Sequence, residues 1–232
     1  MTSGFQGFPR AAFDFLRDLE AHNTKEWFHD RKATYDSAVR QPMLALLEAV
    51  NEELADYAPE YRAADPRKAV SRPNRDTRFS ADKRPYRTDI SAVLPRGGGP
   101  KHAVAGFFFS IAPAGIDVLG GAYMPGPPQL VALRQYLGLE SDRFRRVVAE
   151  IESTRLVGAL QGEQLKRVPA GYAADGPAAD LVRYKQLYFR VRIESAAATS
   201  EALVAELSQR FRVMTPFVEL LDEGLAGSVE PR

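Results

Sequence analysis

The sequence predicts an α+β fold, in which N-terminal and C-terminal helices pack against an antiparallel sheet formed mainly by residues 88–123. Apolar residues recur at helical spacing near both ends, whereas the middle contains short alternating or wholly apolar runs bounded by glycine and proline. The composition, 45% hydrophobic and 26% charged, is that of an ordinary globular protein. Because no flexible linker divides the chain, we expect a single domain over residues 1–232.

The first part of this domain is a predicted helical unit at about residues 9–57. Asn23 is the predicted N-cap of its second helix, with Glu26 three residues later as in a capping box. Trp27 and Phe28 fall inside the amphipathic pattern of that helix. We therefore interpret them as core residues rather than as an exposed stacking platform.

Three strands are predicted to form an antiparallel meander. In the first strand, Ile90, Ala92 and Leu94 alternate with Asp89, Ser91 and Val93, and a third strand is predicted at 116–119. Between them, residues 104–111 are apolar on both faces, which is typical of a central strand covered on both sides. We therefore expect all the phenylalanines of this run to be buried. They are Phe107, Phe108 and Phe109.

The C-terminal part is predicted to be mostly helical. Helices are expected from residue 127, over 141–151 and over 178–188, with a short strand and turn at 165–172 and an alternating strand at 189–193. The last helix carries apolar residues at four-residue spacing until Pro216, which is expected to kink or end it. Together with the preceding elements, this region gives a sheet and C-terminal helices over residues 88–225.

Composition excludes several classes of function. The chain has no cysteine, which removes disulfides, thiolate nucleophiles and cysteine-based metal sites. The most apolar charge-free run, between Lys101 and Asp117, is shorter than the ~20 residues that cross a bilayer. We therefore expect a cytoplasmic protein without a membrane partner. The net charge of +1 makes the whole molecule a poor binder of polyanions, so any such affinity has to be local.

Several standard motifs are also missing. The sequence has no P-loop, no glycine-rich dinucleotide fingerprint, no HExxH and no GxSxG. His22, His29 and His102 are widely spaced and would form a metal site only if folding gathered them. We expect cap or surface roles for these histidines and predict no metal site.

One segment, residues 72–87, concentrates positive charge. Its six basic residues outnumber its two acids, Asp76 and Asp82, for a local charge of +4. The basic residues are Arg72, Arg75, Arg78, Lys83, Arg84 and Arg87. The planar fork of arginine binds carboxylate or phosphate oxygens in a bidentate manner. Neighbouring cations should lower the pKa of Asp76 and Asp82 and keep both ionised, which suits orientation or metal binding better than general acid chemistry.

These residue types predict a cradle for an oxyanion, either a small anionic molecule or a phosphate backbone. The candidate ligand-binding residues are Arg75, Asp76, Arg78, Ser80, Asp82, Lys83 and Tyr86. In the competing interpretation, the arginines pair with the two aspartates and with helix-terminal carbonyls and attach the loop at residues 59–87 to the fold.

The same segment carries a resemblance. Residues 75–86 read RDTRFSADKRPY, which resembles the R-D-x-R-F-S-x-D-K-x-P-Y signature of the bacterial family called domain of unknown function 2461. Residues 120–125 (GGAYMP) and 165–172 (LKRVPAGY) are similar to later blocks of that family, so the resemblance covers nearly the whole chain. Arg87 and Ala170 depart from the expected residues. The resemblance implies a fold relationship but no activity, since the family has none assigned.

Three classes of function remain open. The first is a binding protein for a phosphorylated or carboxylated ligand, using the segment 72–87. The second is a phosphoester hydrolase or phosphoryl-transfer enzyme, in which the same cations stabilise charge and Asp76 or Asp82 holds a divalent metal. The third is a protein–protein adaptor with a structural arginine network. Catalytic residues and cofactors are not predicted by the sequence.

Overall fold

The chain folds into helices around a four-stranded antiparallel sheet in a computed structural model that describes residues 4–78, 80–98 and 105–226. The α-helices are α1 (Arg10–Ala21), α2 (Lys25–Asp30), α3 (Lys32–Thr34), α4 (Gln41–Tyr57), α5 (Pro66–Ala69), α6 (Pro127–Leu139), α7 (Ser141–Ser153) and α8 (Leu203–Ala226). The strands are β1 (Ile90–Pro95), β2 (Gly106–Ala112), β3 (Gly115–Ala122) and β4 (Leu187–Ile193). The predicted α+β class is confirmed.

The strands form a meander in the order β1-β2-β3-β4. One row across the sheet places Val93 opposite Phe108, Phe108 opposite Leu119, and Leu119 opposite Arg190. The predicted sheet over residues 88–123 accounts for the first three strands. The strand predicted at 189–193 is the fourth, and it pairs with β3 at the edge of the sheet.

The two faces of the sheet differ in burial. Phe107 and Phe109 are fully buried, and the ring centroid of Phe107 lies 4.7 Å from that of Phe211 in α8. Phe108 points to the opposite face and is only half-buried. The prediction that all three phenylalanines are buried is therefore wrong for Phe108, because successive strand side chains alternate between faces and α8 packs on the face of its neighbours.

Helix α8 packs most closely against β3. A Cβ atom on Gly120 would lie 2.9 Å from the sulfur of Met214, so a larger residue there would displace this methionine. The helix continues through Pro216, and the hydroxyl of Thr215 donates a 2.8 Å hydrogen bond to the carbonyl of Phe211. Pro216 therefore does not end the helix. Neither α8 nor any other helix in the described ranges is long and apolar enough to cross a membrane.

The N-terminal helical unit begins as predicted but is capped differently. Thr24, not Asn23, is the N-cap of α2, and its hydroxyl accepts a 3.2 Å hydrogen bond from the N–H of Trp27. Phe28 is buried, which confirms its predicted core role. A π-helical turn (Tyr35–Arg40) joins α3 to α4, so the chain stays helical from Lys32 to Tyr57.

The region before β4 differs from the prediction. Residues 165–172 form turns rather than a strand, and the helix predicted over 178–188 is only a 3-10 turn (Leu181–Arg183). Leu187, which the helical pattern included, instead begins β4. Pairing with β4 satisfies the backbone groups along the outer edge of β3, which a helix at these residues would leave without partners. This pairing outweighs the weak helical spacing.

The core contains one buried pair of polar side chains. Tyr61 and Asp222 are 1% and 6% exposed, and the hydroxyl of Tyr61 donates a short hydrogen bond to a carboxylate oxygen of Asp222. The backbone N–H of Ala105 also bonds this carboxylate. Burial raises the pKa of Asp222 above its ordinary value of 3.8 and also raises the pKa of Tyr61.

Candidate functional site

The arginine-rich segment lies in an irregular hairpin that leads into β1, and we call residues 70–92 the arginine hairpin. At its base Val70 lies opposite Ala92, and farther out Asn74 lies opposite Tyr86. Two extra residues on the returning side shift the register between these two pairs. The hairpin thus leads into the edge strand β1 with an interrupted, bulge-like register.

Two backbone hydrogen bonds close the outer end of the arginine hairpin. The N–H of Arg75 donates to the carbonyl of Pro85, and the N–H of Arg87 donates to the carbonyl of Pro73, each at 2.8 Å. Proline lacks an N–H, so both prolines occupy positions where only their carbonyl is needed. Residues 75–84, from Arg75 outward, are the hairpin tip.

Asn23 attaches the arginine hairpin to the N-terminal helices. Its amide nitrogen donates to the carbonyl of Tyr86 at 3.0 Å, and its amide oxygen accepts from the N–H of Tyr86 at 2.9 Å. The ring of Tyr86 stacks on Phe28 with centroids 4.1 Å apart and is 9% exposed. The candidate ligand-binding residue Tyr86 is therefore placed in the core, where it anchors the hairpin.

The hairpin tip contains the same turn twice. Asp76 accepts from the N–H of Arg78 at 3.1 Å, and its two oxygens accept from Nε and Nη2 of that arginine at 3.0 and 2.7 Å. Asp82 accepts from the N–H of Arg84 at 3.0 Å and from its Nε and Nη2 at 3.1 and 2.8 Å. Each aspartate thus closes a local turn through its side chain and holds the guanidinium two residues later.

The two turns are connected to each other and to the closed end of the hairpin. Asp82 accepts a further 2.6 Å hydrogen bond from Nη1 of Arg75, so its carboxylate lies between the guanidinium groups of Arg75 and Arg84. The ammonium of Lys83 donates to the carbonyl of Thr77 at 2.9 Å. Five of the candidate residues from the sequence, Arg75, Asp76, Arg78, Asp82 and Lys83, therefore belong to one hydrogen-bonded tip.

These contacts keep both aspartates ionised. Hydrogen bonds from the side chain and backbone of Arg78 lower the pKa of Asp76 from 3.8 to about 2. The pKa of Asp82 is also lowered, mainly by the side chain and backbone of Arg84 and then by Arg75. The same pairing raises the pKa of Arg78 and Arg84. The prediction that neighbouring cations lower both carboxyl pKa values is confirmed.

The tip is exposed and retains excess positive charge. The side chains of Arg78 and Arg84 are 76% and 49% exposed. Within the described ranges, neither Lys83 nor Arg72 has a carboxylate partner, while Arg87 pairs at 2.9 Å with Asp89 just outside the segment. Ser80 is half-buried, and its N–H donates to the carbonyl of Thr77 at 3.4 Å. Phe79 lies outside the described residues.

Among the described residues, His22 and His29 belong to no metal-binding cluster. His22 stacks on Trp27 with ring centroids 6.1 Å apart, His29 is exposed on α2, and His102 lies outside the described residues. Over the described part of the chain, no group of three or more histidine, aspartate or glutamate residues could hold a metal ion.

The sequence predicted the charged residues of the tip but not the contact between Asn23 and Tyr86 that anchors the hairpin. The docking of Tyr86 by Asn23 joins residues 63 positions apart, and the pattern around Asn23 suggested a helix cap instead. A signal for the turns was present, since an aspartate precedes an arginine by two positions at both Asp76 and Asp82. That spacing predicts a side-chain-closed turn.

The fold and the site together define a class. It is an α+β protein in which an arginine-rich hairpin leads into the edge strand, and aspartates hold the arginines of this hairpin by hydrogen bonds. A family model described as "Conserved hypothetical protein (DUF2461)" matches residues 11–220, and the chain belongs to this family. The resemblance drawn from the sequence is thereby confirmed. No curated protein and no solved structure matches the chain. Because the family description assigns no activity, function is inferred from the site.

Proposed function

We propose that the chain binds a phosphorylated or carboxylated ligand through the hairpin tip. The observation that carries this proposal is the carboxylate of Asp82 held between the guanidinium groups of Arg75 and Arg84. A carboxylate in this position orients both cations before a ligand arrives. Pre-orientation lowers the conformational entropy that long side chains lose on binding.

Guanidinium geometry supports this role. Asp82 uses Nε and Nη2 of Arg84, and Nη1 of that arginine has no protein acceptor among the described residues. Arginine carries five N–H donors, so a ligand oxygen can be bound at Nη1 while Asp82 remains in place. With its side chain 49% exposed, Arg84 can be reached from solvent.

The charge of the tip favours an anion as the ligand. One carboxylate, Asp82, serves two guanidinium groups, and Lys83 has no carboxylate partner in the described structure. Exposed ion pairs contribute little to folding stability. The tip is therefore better explained by ligand binding than by a need to stabilise the fold.

Two alternatives fit the contacts less well. A phosphoester hydrolase with a metal at Asp76 or Asp82 would need carboxylate oxygens that already accept hydrogen bonds from arginine, and those cations would repel a divalent ion. An adaptor with a structural network would need buried arginines, whereas Arg78 is 76% exposed. A cytoplasmic location is part of the proposal and agrees with the cysteine-free sequence.

Thermal denaturation of the full chain against inorganic phosphate tests this proposal. A ligand that binds only the folded state raises Tm. At a ligand concentration 100 times Kd, it adds about 2.7 kcal/mol to the free energy of unfolding. We expect Arg84→Ala to abolish the phosphate-dependent rise in Tm. Arg146→Ala, on the exposed surface of α7, is the matched control and should leave the rise intact.

Asp82→Asn separates an oriented site from simple charge attraction. The substitution removes one negative charge, which makes the tip more positive, so attraction alone predicts tighter phosphate binding. If Asp82 orients Arg75 and Arg84, phosphate binding weakens despite that gain. Tighter binding by Asp82→Asn, or no phosphate effect in the parent protein, would contradict the proposal and favour the structural interpretation.

A further inference from the structure

A second site is suggested by a groove between α4 and α5. Its volume is about 550 Å³, within the range of small-molecule sites. One wall is a helical stripe of α4, whose residues recur at spacings of three and four positions. The lining residues are Arg40, Gln41, Leu44, Ala45, Glu48, Asp65, Pro66 and Arg67.

The walls of the groove are held by specific contacts. Asn51, one turn farther along α4 and 8% exposed, donates to the carbonyl of Ala63 at 2.8 Å and accepts from its N–H at 2.9 Å. The carboxylate of Asp65 accepts from the N–H of Arg67 at 3.0 Å and caps α5. These bonds fix the chain before α5 against α4, so the groove is preformed.

Arg40 is the last residue of the π-helical turn (Tyr35–Arg40). Such turns are rare and occur frequently at functional sites. Here Tyr35 and Val39 are buried in the core, while Arg40 is half-buried and lines the groove. A half-buried guanidinium loses part of its hydration, and the loss is offset only when an acceptor is supplied.

Four charges line the groove without neutralising one another. Arg40 and Arg67 are cations, and Glu48 and Asp65 are anions. In the described structure none of the four takes part in a salt bridge, and Arg40 makes no side-chain hydrogen bond. Both signs of charge therefore remain available beside the apolar surface of Leu44, Ala45 and Pro66.

We propose that this groove binds a small zwitterion of the α-amino acid type. The carboxylate of the ligand is bound by Arg40 and Arg67, its ammonium by Glu48 and Asp65, and its side chain lies on the apolar surface. A ligand with a single charge would leave one pair of groove charges without a partner. This site is separate from the hairpin tip and does not depend on the function proposed there.

Calorimetric titration of the full chain with the twenty common amino acids tests the inference. We expect at least one of them to bind saturably with a Kd below about 10 mM. For the best ligand, the analogues lacking the amino group or the carboxyl group should bind at least about tenfold more weakly, because each loses a charge-assisted hydrogen bond. For leucine these analogues are 4-methylpentanoate and 3-methylbutylamine.

Two variants and a control locate the binding site. Arg40→Ala and the isosteric Glu48→Gln should each weaken binding about tenfold, whereas Arg62→Ala, an exposed arginine outside the groove, should leave it unchanged within about twofold. Glu48 is exposed, so its variant should fold normally even if Arg40→Ala does not. Absence of binding by all twenty amino acids, equal binding of either analogue, or unaltered binding by Glu48→Gln would overturn the inference.

Discussion

Asp82 in the hairpin tip and Asp222 in the core respond to folding in opposite ways. Hydrogen bonds from Arg84 and Arg75 lower the pKa of Asp82, whereas burial raises that of Asp222. The side chain of Asp82 is 36% exposed and pairs with two cations, while Asp222 is 6% exposed and bonds a neutral tyrosine. The partner and the access of water therefore decide the charge of the same chemical group.

The comparison extends to what each region contributes. The core packs aromatic rings such as Phe107 and Phe211 in contact, and burying apolar area is the main source of stability. The tip consists of exposed ion pairs that water and salt screen. We therefore expect substitutions in the core to change the free energy of unfolding and substitutions in the tip to change ligand binding.

The largest expected effect is in the core. Phe107→Ala removes a fully buried ring and should cost about 3–5 kcal/mol, which lowers Tm by about 10 °C for a chain of this size. Phe108→Ala, the neighbour on the half-buried face, should cost less than about half as much. Thermal denaturation of both variants is the measurement. Equal losses would show that the second face of β2 is as well packed as the first.

The next prediction uses pH to compare the two aspartates. The folded-state pKa of Asp222 is raised, so this group favours the folded state at low pH and that contribution is lost as pH rises above about 3.8. The pKa of Asp82 is lowered, so its contribution is present above 3.8 and is lost as pH falls below that value.

As pH rises, the difference in Tm between variant and parent should therefore change in opposite directions for the two asparagine variants. For Asp222→Asn, the difference in Tm should become more favourable to the variant as pH rises from about 4 to 7. For Asp82→Asn, the difference in Tm should become less favourable to the variant as pH rises from about 2 to 4. The change should be smaller than for Asp222→Asn because Asp82 is more exposed. Parallel pH profiles for the two variants would contradict the comparison.

A smaller effect is expected where the arginine hairpin joins the N-terminal helices. Asn23→Ala removes two hydrogen bonds to the backbone of Tyr86 and should cost about 1–2 kcal/mol. Amide hydrogen exchange should accelerate mainly in the arginine hairpin. Thr24→Ala is the control, since it removes the N-cap of α2 and should leave hairpin exchange unchanged. Equal acceleration in both variants would mean that Asn23 does not hold the hairpin.

The smallest effect is expected at Arg78. Its partner Asp76 is 58% exposed and the arginine itself 76%, so Arg78→Ala should lower Tm by less than about 4 °C. The same variant should reduce the stabilisation by phosphate if Arg78 contributes to the proposed site. A drop beyond about 8 °C without any phosphate effect in the parent would show that the tip is structural.

Particular residues show why sequence reasoning succeeded in some places and failed in others. The strands at 90–94 and 189–193 were recognised because alternation is a local property. Phe108 was misassigned because an apolar run does not tell which face the helices cover. Asn23 was misassigned because capping residues also bind distant backbone, and its partner is 63 positions away. The single-domain organisation stays a prediction; most buried apolar residues of the described chain belong to one cluster that includes Phe5 and Leu225.

By itself, the sequence determined the α+β class and the concentration of arginines beside Asp76 and Asp82, because these follow from periodicity and local composition. Its resemblance to a known signature motif identified the family. Only the tertiary structure decided that Tyr86 is an anchor, that one carboxylate lies between Arg75 and Arg84, and that Arg40 lines a groove. The anchor and the groove depend on contacts between distant parts of the chain, and the pairing of Arg75 with Asp82 depends on how the hairpin folds back on itself. Such contacts are set by the packing of the whole core, and a local sequence pattern does not tell how distant segments pack together.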